Sequence, residues 1–191
     1  MPVQGGRFPG ARDHREDTVG NRKNRKLALL GALGLITLIF SGTTLAAVGA
    51  SSEGHGTLST TSGKRQFSFS ARTYSDATVK GQATLVNPEY TGANGKSPYQ
   101  LQLDISCMKV VGNIAIFGGL TKRTNDPSLV DAAFFSVQDN GEPGKTDKIS
   151  RVFFWDDDPS TIGDPQACQA VTPTDFPLET IEAGNIQVKG S

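Results

Sequence analysis

Two stretches of the chain carry side chains capable of chemistry. Residues 138–147 read QDNGEPGKTD, and residues 155–159 read WDDDP. In the first, Asp139, Asn140, Glu142 and Asp147 supply carboxylate and amide oxygens around glycines that let the backbone curl. Hard cations such as Ca2+ gather about six to eight oxygens of this kind. The spacing is not that of an EF-hand, which needs acidic or amide groups at alternate positions and a closing Glu. The same residues also spell two consecutive turns, Asp-Asn-Gly and Glu-Pro-Gly, whose types suit backbone conformation and whose charges can stay solvated. The sequence favours the turns and keeps a weak Ca2+ site as the alternative. Asp156, Asp157 and Asp158 fall at the far end of the strand predicted between the two stretches, roughly 25 Å away. Their candidate companions are therefore Asp164 or Asp175. A carboxylate pair of that kind would serve glycoside hydrolysis, but no feature of the sequence selects one.

Histidine is nearly missing. Beyond residue 50 the chain holds only His55, between Gly54 and Gly56 in a stretch that reads as a linker. A Ser-His-Asp or Cys-His arrangement needs its base held within hydrogen-bond reach, and catalytic zinc sites lean on several His ligands. Both classes are set aside on that ground, and no catalytic residue is assigned. Gly118-Gly119 has no Lys-Ser/Thr placed to meet phosphates. Among the aromatics, Phe153 and Phe154 read as core, whereas Tyr90, in a loop rich in Pro and Gly, is the one expected to be exposed.

The elements that must position these residues are strands. Phe67, Phe69 and Ala71 alternate with Ser68 and Ser70, and residues 78–86 alternate in the same way, a period-2 pattern. In residues 99–107 Tyr99, Leu101, Leu103, Ile105 and Cys107 should point inward. The phase then slips at Met108-Lys109, where a bulge is expected. Gly112-Asn113 predicts a hairpin turn, with residues 114–121 as the return strand. Gly118-Gly119 within that strand predicts a bend or the close approach of another backbone. Asp126-Pro127 predicts one helical turn. Strands are expected at 132–138, 148–155 and 185–189, with a long Pro-interrupted excursion over 156–184. Seven short strands and no amphipathic helix of useful length predict an all-β fold, an antiparallel sandwich or barrel.

Residues 1–50 carry 7 basic and 3 acidic side chains and the remainder 12 and 16. The acidic remainder lacks the basic patch that nucleic acid would demand, so no nucleic-acid partner is expected. Residues 1–26 form a basic cytoplasmic region, and the apolar run 27–50 is a signal peptide or a membrane anchor. Both place the chain beyond residue 50 outside the cytoplasm, secreted or at the surface. Val48-Gly49-Ala50 suits cleavage before Ser51, and Thr44 with Ala46 offers a second site. Contact with the membrane is expected only through residues 27–50. Residues 51–65, rich in Gly, Ser and Thr, predict a flexible linker, and 66–190 the extracellular β-domain. Cys107 and Cys168 are the only cysteines, and in an oxidising compartment they predict one disulfide.

The string FFSVQDNGEPGKTDKIS, a following acidic turn, a Cys in the next loop and the ending IEAGNIQV resemble the post-COAP domains, a group of uncharacterised exported bacterial β-domains. The match spans roughly residues 66–190. The resemblance implies an exported, bacterial, β-rich domain and no particular activity. Taken together, the sequence predicts a non-catalytic secreted or cell-surface β-module that binds an extracellular ligand or plays a structural part. The alternative is a carboxylate-dependent hydrolase acting on extracellular polysaccharide.

Overall fold

A computed structural model describes residues 49–89, 98–154 and 161–191. The expected signal or anchor up to residue 48, Tyr90, Trp155 and Asp156–Asp158 lie outside the described residues. The described residues form one antiparallel sheet of ten strands, curled into a half-barrel, with no α-helix among them. The strands are β1 Ser51–Thr60, β2 Gly63–Thr73, β3 Val79–Asn87, β4 Tyr99–Val111, β5 Ile114–Thr124, β6 Ala132–Gln138, β7 Lys148–Ser150, β8 Phe153–Phe154, β9 Leu178–Thr180 and β10 Ala183–Lys189. The path runs β10-β1-β2-β3-β4-β5-β6-β7-β9, with β8 also on β6. Its two ends, β9 and β10, are separated in the chain only by Ile181 and Glu182. The sheet therefore curls until its edges meet, which is not the geometry of two facing sheets.

Alternation supplies the inner face. Phe67, Phe69, Ala71, Ala83, Leu85, Leu101, Leu103, Ile105, Phe117 and Phe135 are buried in one cluster. The Phe69, Phe117 and Phe135 rings stack and tilt on one another with centroids 4.7–5.7 Å apart. The interior is well packed: the space between Leu58, Phe67, Tyr99 and Ile149 amounts to about 10 Å³.

Residues 51–65 are not a linker. Most of them form β1, which pairs with β2 along its whole length and with β10 on its other side. The few apolar letters there mislead because two of its inner positions are glycines filled by rings from the neighbouring strand. Gly54 lies opposite Phe69 and Gly56 opposite Phe67, and a Cβ at either would press on those rings at 2.8–2.9 Å.

The β4 bulge is real but sits earlier than expected. Ile105 pairs with Gly119 and Cys107 with Gly118, so Ser106 is the extra residue. Every side chain after it changes face. Met108 joins the inner cluster, while Cys107 points outward, contrary to expectation, into a second one with Ile116, Ala132, Phe134, Cys168 and Phe176. The second cluster explains why β5 and β6 are apolar on both faces: residues 161–177 cover the outer side of β4, β5 and β6.

The strand expected over 148–155 is split into β7 and β8. At the end of β7 Ser150 substitutes its hydroxyl for a ladder group, accepting from the Ser136 N–H at 2.9 Å and donating to the Arg151 carbonyl at 2.7 Å. The turn at Gly112, with φ 63°, and the 3-10 turn Pro127–Leu129 capped by Asp126 are as expected.

Candidate functional site

The acidic loop between β6 and β7 is where the edges of the sheet meet. Asp147 is fully buried. One of its carboxylate oxygens accepts from the Asn140 N–H and the other from the Ile186 N–H, both at 2.8 Å. Asp139 repeats the device, accepting from the Gly141 N–H at 2.8 Å and the Val188 N–H at 3.0 Å. In each case one oxygen closes the loop on itself and the other reaches across to β10. The register explains why β10 has these N–H groups to offer. It pairs with β1 on one edge, and alternate N–H groups on its other edge have no strand to meet. An unmet buried N–H costs about 1–3 kcal/mol, so two carboxylates substitute for the missing strand.

The other loop residues finish this clasp. Asn140 donates to the Thr146 carbonyl at 2.6 Å and accepts from Asn113 at 3.2 Å. Glu142, exposed, accepts from the Asn185 side chain at 3.0 Å. Gly144 has φ 76°, and a Cβ there would overlap the Asn185 side-chain oxygen. Asp147 also lends its carbonyl to the Ile181 N–H at 2.9 Å, beside the Glu182 N–H to Thr57 carbonyl bond at 2.8 Å. The four residues read from the sequence as a weak Ca2+ set are thus brought to one place. Their oxygens, however, face N–H donors, which a cation cannot replace without opening the seam. No three His, Cys, Asp or Glu side chains converge as a metal site among the described residues. The turn reading is also amended: the Asp147 charge is buried, and both Asp139 and Asp147 are bonded to backbone.

Cys107 and Cys168 form the expected disulfide, with Cα atoms 6.2 Å apart. It fixes residues 161–177 to the outer side of β4. Lys109 assists from the same face, donating to the Gln169 and Val171 carbonyls at 2.9 and 2.8 Å. Gly118 is the close approach expected in β5: a Cβ there would run into the Pro165 carbonyl.

His55 does not lie in a linker, so that ground for setting aside histidine chemistry falls away. It stands exposed on the outer face of β1, between Ser68 of β2 and Asn185 of β10, in a shallow depression shared with Glu53, Ser70 and Gln187. No hydrogen bond joins it to Ser68, Ser70 or Glu53 among the described residues. The neighbouring depressions over β2 to β5 are lined by Gln82, Thr84, Gln100, Gln102, Arg123 and Asn125, and none holds more than one carboxylate. Compared with known proteins, the chain matches no family model, no curated protein and no solved structure.

Proposed function

We propose that this is a non-catalytic β-module on the extracytoplasmic side of a membrane, secreted or held at the surface, serving as a binding or structural component. The observation that carries this reading is the filled interior. A hydrolase of polysaccharide needs a cleft with two facing carboxylates about 5 Å or 6.5–9.5 Å apart. Here the half-buried Asp139 and the buried Asp147 bond to backbone N–H groups, and the outer depressions are shallow. The disulfide supports an oxidising compartment. Membership among the exported bacterial post-COAP-like domains forms part of the same proposal. Its surface of contact is the outer face of β10, β1, β2, β3 and β4, where Ser, Thr and Gln side chains stand in rows.

The test is a reducing-end assay of the purified chain against a panel of bacterial and plant polysaccharides. No release above the buffer rate is expected. Release that disappears on changing a single Asp or Glu to its amide would contradict the proposal and install the hydrolase.

A further inference from the structure

One row across the outer face differs from the rest. Lys189 of β10 lies opposite Ser51 of β1, Ser51 opposite Arg72 of β2, and Arg72 opposite Lys80 of β3. Cross-strand partners share a face, so three cations project together from one end of the sheet, in a row about 15 Å long at ordinary strand spacing. All three are exposed, and none makes an ion pair among the described residues. Like charges placed directly opposite, as Arg72 and Lys80 are, destabilise a sheet. Tyr74 stands beside them, 47% exposed, with the Lys80 Nζ 5.6 Å from its ring centroid.

The acidic groups nearby do not neutralise the row. Asp76 faces Lys80, yet its carboxylate accepts from the Thr78 hydroxyl at 2.6 Å and the Thr78 N–H at 3.0 Å. Those bonds, with a smaller contribution from Lys80, hold its carboxyl below the usual range. Glu53 belongs to the next row, opposite Ser70 and Gln187. Asp76 keeps its negative charge beside Lys80, so the row faces outward with an excess of positive charge and a tyrosine at its side.

The position of this end of the sheet says what it meets. Ala50, the last residue of the apolar run, already belongs to the fold: the Thr73 N–H donates to its carbonyl at 2.8 Å, and its side chain packs against the inner cluster. In sequence Ala50 is followed directly by Ser51, which stands in the basic row. Cutting the chain after Ala50 would strip a packed residue from the start of the fold, which argues against that cleavage site.

We propose that Lys189, Arg72 and Lys80, with Tyr74, rest on anionic phospholipid headgroups and hold the domain down on the membrane in which the chain is anchored. This rests on the reading of the domain as extracytoplasmic and tethered. Basic side chains near an anionic surface contribute about fivefold each in partitioning, so the row is worth roughly a hundredfold, and salt weakens it. Tyrosine suits the headgroup level, being apolar in body and polar at its tip.

The experiment uses the full chain carrying Trp155→Phe and Tyr74→Trp, which leaves one tryptophan, at the row. It is reconstituted into vesicles of phosphatidylcholine, with or without phosphatidylglycerol, that carry a headgroup-level quencher. Expected is strong quenching only with phosphatidylglycerol, reversed by raised salt and lost in the Arg72→Gln/Lys80→Gln/Lys189→Gln variant. Equal quenching in both lipids, or quenching indifferent to the triple change, would overturn the proposal. Sedimentation after an alkaline wash checks the tether separately. If the chain washes off, the anchor is wrong, and the released chain is then tested for partition onto the same vesicles. A hundredfold preference for phosphatidylglycerol that the triple change removes would still sustain the row as a lipid site, and no preference would end it. Row-dependent binding of a soluble polyuronate without lipid quenching would assign the cations to polysaccharide and also overturn the proposal.

Discussion

Replacing Cys107 and Cys168 together by alanine should lower the melting temperature by roughly 8–16 °C. The bridge joins residues 61 apart in sequence, and the chain-entropy treatment of a loop that long gives about 4 kcal/mol. A domain of this size loses about 2–4 °C per kcal/mol. The loss should also be local. Residues 161–177 are held on the outer side of β4 to β6 by the bridge, by Lys109 and by the small Phe134–Phe176 cluster, whereas β1, β2 and β3 depend on none of these. Amide exchange in the double variant should therefore accelerate over 161–177 and leave β1–β3 slow. Wild-type protein melted in reductant should approach the variant, and the variant should ignore reductant. Equal melting temperatures for the two proteins would show that the excursion is held by packing alone.

Asp147→Asn should destabilise the protein by about 3 kcal/mol, roughly 6–12 °C in melting temperature. The substitution keeps the shape and replaces one acceptor by an NH2 group. Both oxygens of Asp147 receive backbone N–H groups, so in either orientation of the amide a donor faces a donor in a fully buried place. A hydrogen bond to charge is lost, and the Ile186 or Asn140 N–H is left unmet. Glu142→Gln is the control from the same loop. Glu142 is exposed, its partners are the Asn185 and Gln187 side chains, and a change within about 0.5 kcal/mol is expected. Thermal melts of the two variants side by side decide the matter. Equal effects would mean that the loop acts through its overall charge and not through the two buried bonds.

Much of this fold is legible in the letters because a half-buried strand writes its facing into the sequence. Tyr99 to Ile105 alternate without error, and β2 and β3 follow the same rule, whereas β5 is covered on both faces and does not alternate. β1 is not legible, because the mass that fills its inner face belongs to Phe67 and Phe69 on the neighbouring strand while its own letters there are Gly54 and Gly56. The alternation Ser52, Gly54, Gly56, Leu58 was the signal available, small residues with period two next to a strand carrying aromatics. β9 is too short to show any period, and it is placed by long-range bonds. Arg65, buried in β2, reaches Glu179 at 2.7 Å and the Ser150 carbonyl at 2.8 Å. The outward turn of Cys107 depends on a bulge at Ser106, one residue whose effect shows only in the register with β5.

The candidate site was legible as residues and not as a role. Asp139, Asn140, Glu142 and Asp147 do come together, yet the β10 groups that Asp147 and Asp139 meet, at Ile186 and Val188, lie 39 and 49 residues further along the chain. A carboxylate beside a curled loop looks the same in sequence whether a cation or a backbone N–H sits in front of it. The partner becomes visible only once the sheet is curled and its last strand lacks a neighbour. The basic row has the same character. Arg72, Lys80 and Lys189 are ordinary letters in the sequence, and the register of four strands makes them neighbours.

At the centre of this account the acidic loop closes the sheet by bonding its carboxylates to β10. Hydrogen exchange at the Ile186 and Val188 amides tests that role most directly, measured once with calcium and once with chelator. If the Asp147 and Asp139 carboxylates clasp these two groups, both amides exchange as slowly as the interior of the β1–β2 ladder, and calcium makes no difference. Rapid exchange in chelator with protection restored by calcium would contradict this, showing carboxylates that serve an ion and a β10 edge that stands open without it.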